Sequence, residues 1–258
     1  MDEVVTAPGR WSVITITGMK RARYGVDAPG ALLGQVFGGL VGVLIAAVLL
    51  SFGWWVGWIV LAGGLFGFAS AAVYLHTTLR GKFIVWAREL RRLELGGGER
   101  ALDLGCGRGM VLVKVAALLP DGRATGIDLW RGKDQSGNTG DVARRNAELE
   151  GVSGRVDLVT GDMCSLPFED GSFDLVVSSL AVHNIPDAGG RARAVEEAYR
   201  VLAPGGRLLL ADFQHADDYA ATLRTLSADE PAVRGLGWRF WYGGPWFGTR
   251  MVTARKPA

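Results

Sequence analysis

The sequence predicts an α/β domain, with helices covering both faces of a sheet, carried behind an N-terminal helical hairpin. Three observations predict it. A stretch without Asp, Glu, Lys or Arg runs from Ala28 to Leu79. A short apolar run, Arg100 to Leu104, then enters glycines at alternate positions, Gly105, Gly107 and Gly109, followed by a helix-like segment from Val111 to Leu119. Beyond it, strand-like apolar runs alternate with helix-like segments, the pattern of strands joined by crossover helices.

At 258 residues the chain holds one domain of ordinary size plus extras. Apolar residues make up 49% of it and its mean hydropathy is positive. Both are high for a soluble enzyme and put part of the chain somewhere other than water. The formal net charge of +2 is too balanced to argue for nucleic acid. Cys106 and Cys164 are the two cysteines, both inside apparent ligand loops. They suggest no disulfide framework, and no metal-ligand cluster is legible. A reducing, cytoplasmic setting is expected for the catalytic part.

The 52 uncharged residues from Ala28 to Leu79 would make one helix of roughly 78 Å, against a bilayer core of about 30 Å. Two spans fit better, near Ala31–Leu50 and Trp55–Leu75, turning through Ser51 to Trp54. Trp54, Trp55 and Trp58 near the turn and Tyr74 at the other end suit interfacial belts. Arg10, Lys20, Arg21 and Arg23 precede the hairpin; Arg80, Lys82, Arg88, Arg91 and Arg92 follow it. That bias puts both ends on the cytoplasmic side. The expected division is a cytoplasmic segment over 1–30, a transmembrane hairpin over 31–79 and a catalytic domain over 80–258. Gly34, Gly38 and Gly42 in the first span, with Gly63, Gly67 and Ala71 in the second, offer small faces. These could close the hairpin or join two copies into a homo-oligomer.

Between Leu79 and Leu95, Phe83, Trp86, Leu90 and Leu93 share one helical face, which predicts either a basic amphipathic helix along the headgroups or, the preferred reading, a domain helix near the membrane surface, ended by Gly96-Gly97-Gly98. In the catalytic region, glycines after a strand let the backbone approach a ligand, and the helix start offers free N–H groups. A dinucleotide GxGxxG fingerprint would place its last glycine where Met110 stands. Arg123 to Asp128 reads as a second strand ending in an acid 23 residues beyond Gly105, placed to accept hydrogen bonds from ribose hydroxyls. Trp130 opens a polar loop to Asn138 and would cover a ligand or simply pack. A helix over Asp141–Glu150 and a strand over Arg155–Thr160 follow, then Gly161-Asp162-Met163, where a carboxylate and a backbone N–H can meet an adenine edge. Later come the strand Leu175–Ser178, a helix over Ala192–Leu202, the strand Arg207–Ala211 and a tail of two strands over 237–242 and 249–254.

Four ordered motifs, DLGCGRG, the GID acid, GDM…LPFEDGSFDLV and LAPGGRLLLADF, closely resemble the class I S-adenosylmethionine-dependent methyltransferases of the type 11 group. The resemblance covers roughly residues 80–258 and leaves out the hairpin. It implies a Rossmann-like seven-stranded sheet and S-adenosylmethionine as cofactor. It assigns Asp103, Gly105 and Gly107 to the methionine part, Asp128 to the ribose, and Asp162 and Met163 to the adenine. Ser178 or Ser179 would lie near the reacting methyl. The Asn/Asp-Pro-Pro-aromatic motif of enzymes acting on nucleic-acid bases is replaced by Ser178 to Asn184, against a nucleic-acid substrate. His183 is the candidate general base, ahead of His215 and His76. The expected function is methyl transfer to a small lipophilic acceptor (quinol, phenol, isoprenoid, lipid amine or thiol) in contact with membrane lipid. A non-catalytic cofactor-binding membrane scaffold is the alternative, and a nucleotide-cofactor oxidoreductase a further one.

Overall fold

The computed structural model describes residues 24–131 and 139–258. The basic residues Arg10, Lys20, Arg21 and Arg23, and most of the loop ending at Asn138, lie outside the described residues. Two long apolar helices come first, α1 (Pro29–Ser51) and α2 (Val56–His76), close to the spans expected from the uncharged run. They pack as an antiparallel pair through Gly39 and Gly42 of α1 against Gly64 and Gly67 of α2. A Cβ on Gly64 would stand 2.9 Å from the Gly39 carbonyl oxygen, and one on Gly67 would stand 3.2 Å from Gly39 Cα. Only some of the expected small-face residues close the hairpin. Gly42, Gly67 and the buried Ala71 lie within the hairpin, whereas Gly34, Gly38 and Gly63 look outward with nothing near them. Gly39 and Gly64, each one residue beyond an expected position, complete the contact stripe, an offset that four-residue spacing alone does not fix. The outer faces are apolar: Leu33, Phe37, Leu44, Trp55 and Trp58 are all exposed.

One π-helical turn (Thr77–Gly81) joins α2 directly to α3 (Lys82–Arg91). The expected domain helix is thus continuous with the second span, giving a helical run from Val56 to Arg91. Val85, Trp86 and Leu90 of α3 are buried against the sheet, with Phe83 and Leu93 packed beside them.

The sheet has seven strands in the order β3-β2-β1-β4-β5-β7-β6. They are β1 (Arg100–Leu104), β2 (Arg123–Asp128), β3 (Val156–Thr160), β4 (Phe173–Ser179), β5 (Leu202–Asp212), β6 (Asp229–Gly235) and β7 (Arg250–Arg255). β7 runs antiparallel to both neighbours and the other pairings are parallel. Side chains alternate between faces. Ala101, Leu175 and Val177 join α3 and α4 (Met110–Ala117) in one core, which also takes in Ala147 of α5 (Gly140–Leu149). Leu102, Leu104 and Val176 join α6 (Ala188–Arg200) and α7 (Ala216–Thr225) in the other.

The tail differs from the expected strand pair. β6 begins at Asp229, earlier than expected, and 238–240 forms a 3-10 turn, leaving Trp241 only an isolated bridge to Gly248. Gly237, in the left-handed region (φ 80°), breaks the extended chain before Trp238. β6 hides in the sequence because Asp229-Glu230-Pro231 carries charge and a proline, which only an edge strand tolerates.

Candidate functional site

The strand order reverses between β1 and β4, and a cavity of about 730 Å³ opens at the carboxyl ends of these strands, where such sheets place their ligands. Its floor is the loop after β1. Gly105 sits in the left-handed region (φ 65°), and a Cβ there would fall 2.3 Å from that of Ala181. Gly105 and Cys106 both donate their N–H to the Ile127 carbonyl, which holds the loop against β2. Gly107 N–H donates to Asp128 Oδ2 (2.9 Å), and Trp130 N–H to Asp128 Oδ1 (2.6 Å). Asp128 thus fixes the glycine loop while still lining the cavity. Trp130 turns away: its indole N–H donates to Thr160 Oγ1 (2.9 Å), so it packs on the end of β3 and is absent from the cavity wall.

Asp103, the last but one residue of β1, is 2% exposed and lines the cavity, and its Oδ2 has no hydrogen-bond partner. Burial, opposed by a backbone hydrogen bond from Leu112 and reinforced by the Asp128 charge, pushes its carboxyl up to about 8. The same burial, with Asp103 and Asp128 nearby, pushes the Cys106 thiol well above its ordinary range, so Cys106 behaves as a small apolar wall residue.

Asp162 and Met163, assigned from the resemblance to the adenine, also line the cavity. Asp162 Oδ1 accepts from Cys164 N–H (2.9 Å), and the Met163 methyl sits over Gly105. Ser178 is a correction. It is 1% exposed and its hydroxyl donates to the Leu104 carbonyl (2.8 Å), inside the sheet. Ser179, on the opposite face of β4, is the residue that lines the cavity, and its Oγ accepts from the buried Trp86 indole N–H (2.9 Å). Leu180 then adopts a left-handed conformation (φ 57°), a strained turn of the kind that gathers at ligand sites.

His183 lines the cavity with Nδ1 2.7 Å from Asp212 Oδ1, although the ring N–H does not point along that line; the contact becomes an ion pair when the imidazole is protonated. Asp212, buried at the end of β5, also accepts from the His183 and Phe213 backbone N–H groups and from the Tyr219 hydroxyl. His215 instead faces Asp218 (3.1 Å), and His76 stacks on Trp238 (4.9 Å); neither lines the cavity.

Sequence reasoning missed Asp212 and the whole far wall. That wall is Asp27, Lys82, Tyr74 and Tyr242. Lys82 Nζ donates to both Asp27 carboxylate oxygens (2.7 Å each), and the Tyr242 hydroxyl donates to Asp27 Oδ2 (2.8 Å). Asp27 N–H donates to Thr78 Oγ1, and the Tyr74 hydroxyl donates to the Asp27 carbonyl. The one available signal was that Asp27 is the last charge before the apolar run and Lys82 the only lysine in the helix after it.

The cavity therefore offers three carboxylates and a glycine cradle at one end, a histidine–carboxylate pair in the middle, and the foot of the hairpin at the other. Among the described residues no group of His, Cys, Asp and Glu stands ready for a metal. Residues 102–210 match the family described as a methyltransferase domain. The chain is 35% identical over 145 residues to 27-O-demethylrifamycin SV methyltransferase of Amycolatopsis mediterranei, covering 56% of this chain and 48% of that protein. It is 35% identical over 116 residues to the ubiquinone/menaquinone biosynthesis C-methyltransferase UbiE of a Ruegeria species, covering 45% and 43%. The chain thus spans about half the length of the curated relatives it matches. Among solved structures, the [4+2]-cyclase SpnF superposes with a TM-score of 0.54 at 23% identity, over 67% of this chain and 82% of that one; this likeness is one of fold. The match of residues 102–210 to the methyltransferase-domain family supports S-adenosylmethionine as the cofactor.

Proposed function

We propose that the protein is a membrane-anchored, S-adenosylmethionine-dependent methyltransferase acting on a small lipophilic acceptor. The cavity carries this reading, because one continuous space joins the cofactor-type end to the hairpin foot. The residues fit the cofactor. The unpartnered Asp103 Oδ2 suits an ammonium group, the Gly105 cradle leaves room that a Cβ would take, and Asp128, Asp162 and Met163, all lining the same cavity, offer ribose and adenine contacts. When bound, the cofactor supplies an electrophilic methyl, so the chain's task is mainly alignment and exclusion of water.

His183 accepts the proton of an O–H, N–H or S–H acceptor, and Asp212 stabilises the imidazolium so formed, 2.7 Å away. Asp212 also fixes the His183 backbone through its N–H. Leu180, Ala181 and Phe213 give the cavity wall beside His183 an apolar lining. The two long apolar helices, with most of each span exposed, are read as a transmembrane hairpin that holds the catalytic domain, residues 80–258, at the cytoplasmic face.

The test is incubation of the purified protein with deuterated S-adenosylmethionine and a lipid and small-molecule extract, followed by mass spectrometry. A deuteromethylated lipophilic product is expected. Cofactor binding with no labelled acceptor favours a scaffold instead, and absence of cofactor binding by the folded protein ends the reading.

A further inference from the structure

Part of the domain's tail lies alongside the hairpin rather than above it. Ser70 and Phe66 lie about 9 and 15 Å before His76 along the axis of α2, at about 1.5 Å per residue. Yet the Ser70 hydroxyl donates to the Gly243 carbonyl (2.6 Å), and the Phe66 ring packs on Trp246 (5.6 Å between centroids). Gly243 (φ 98°) makes the approach possible, since a Cβ there would fall 2.7 Å from Ser70 Oγ and 2.8 Å from Gln35 Nε2 of α1. Pro245, Trp246 and Phe247 are exposed at that level. The backbone is correspondingly turned inward. Tyr242 N–H donates to the Phe247 carbonyl, Phe247 N–H to Gly244, Gly248 N–H to Pro245, and the Trp241 carbonyl accepts from Thr77 Oγ1. Irregular chain can sit at hydrocarbon depth only when its polar groups are met by protein, and here many are.

The same turn borders the cavity. Phe247 and Tyr242 line one side of its hairpin end, Ala31 and Gln35 of α1 the other. We infer that the acceptor enters sideways from the bilayer, through the mouth between the first turns of α1 and the Gly243–Phe247 turn. This deepens the methyltransferase reading and rests on it. It specifies an amphiphilic acceptor whose polar head reaches His183 while its apolar tail stays between Ala31 and Phe247. Gln35 at the rim, whose Oε1 accepts from Ser70 (3.3 Å), and the Lys82–Asp27 pair in the same wall are polar groups the head would pass.

Two measurements on the full chain in phosphatidylcholine vesicles decide it. Bimane attached through Trp246→Cys is expected to be quenched by lipids brominated along the acyl chain at least twofold more than bimane attached through Asp121→Cys. Asp121 precedes β2 at the opposite end of the sheet, and unsubstituted protein gives the labelling background. Separately, Ala31→Trp, which plugs the mouth, is expected to lower deuteromethyl transfer into vesicle-borne extract at least tenfold while cofactor affinity stays within twofold. Equal quenching at the two sites overturns the route. So does an Ala31→Trp protein that labels the extract at the unsubstituted rate, or one that loses cofactor affinity, which would place Ala31 at the cofactor end. If the unsubstituted protein labels nothing, the methyltransferase reading fails, while the quenching result still reports where the turn sits.

Discussion

Replacing Asp103 with Asn tests the cofactor end of the cavity at its most unusual residue. Its carboxyl titrates at about 8 in the folded chain because burial disfavours the charged form, with Asp128 adding repulsion. An unfolded Asp titrates near ~3.9. Between these values the folded chain binds the extra proton and the unfolded chain does not. This group's contribution to stability is therefore greatest below about 3.9 and falls as pH rises toward about 8, by up to about 1.4 kcal/mol per pH unit. Between pH 5 and 7 that amounts to at most about 2–3 kcal/mol, or roughly 4–10 °C in melting temperature for a chain of this size. Asn keeps the shape and removes the titration. Thermal melts of both proteins in the same detergent at pH 5, 6, 7 and 8, without cofactor, should show the wild type losing ground to Asp103→Asn as pH rises. Saturating S-adenosylmethionine should then raise the wild-type melting temperature and leave the variant's nearly unmoved, since the ammonium has lost its counter-charge. Parallel pH curves, or equal stabilisation by the cofactor, would refute the assignment of Asp103.

Three other outcomes follow from contacts already described. His183→Gln should lower methyl transfer about 100-fold or more with cofactor affinity intact, and Asp212→Asn should lower it less while moving the pH–rate profile; calorimetry and labelled transfer check both. Gly105→Ala combines a left-handed backbone with a Cβ overlapping Ala181. It should cost about 2–4 kcal/mol of stability and abolish cofactor binding, read by thermal melts and titration. Gly64→Leu, whose Cβ would press on Gly39 and Val43, should destabilise the hairpin in detergent, while Gly34→Leu on the open face should leave the melting temperature within about 1–2 °C of wild type.

Local chemistry made much of this molecule legible. The uncharged run marked both long helices within two residues at each end, and alternating apolar residues with glycine punctuation marked the parallel strands β1 to β4. Asp103, Asp128, Asp162 and Met163 were legible as cavity-lining residues because each lies at or just beyond the carboxyl end of a strand, where parallel sheets open their clefts. The cavity wall beside the hairpin was not readable, since Asp27, Lys82 and Tyr242 meet only in space, across separations of up to 215 residues. Ser178 and Ser179 show a finer limit. Adjacent residues on a strand face opposite ways, so a one-residue ambiguity decides which serine sees the ligand. β6 escaped because an edge strand can carry charge and proline, which elsewhere argue against strand.

The unbroken helix from Val56 to Arg91 gives the hairpin and the sheet no swivel between them. Gly81 seals the junction, because it lies so close under the Arg239 carbonyl that any side chain there would collide. In the proposed bilayer setting a stalk of this kind acts as a lever arm: when lipid thickness changes the tilt of its lower half, the upper half must carry the whole domain with it. The proposed methyl transfer would then respond to the thickness of the surrounding membrane, as an enzyme tethered by a slack linker would not.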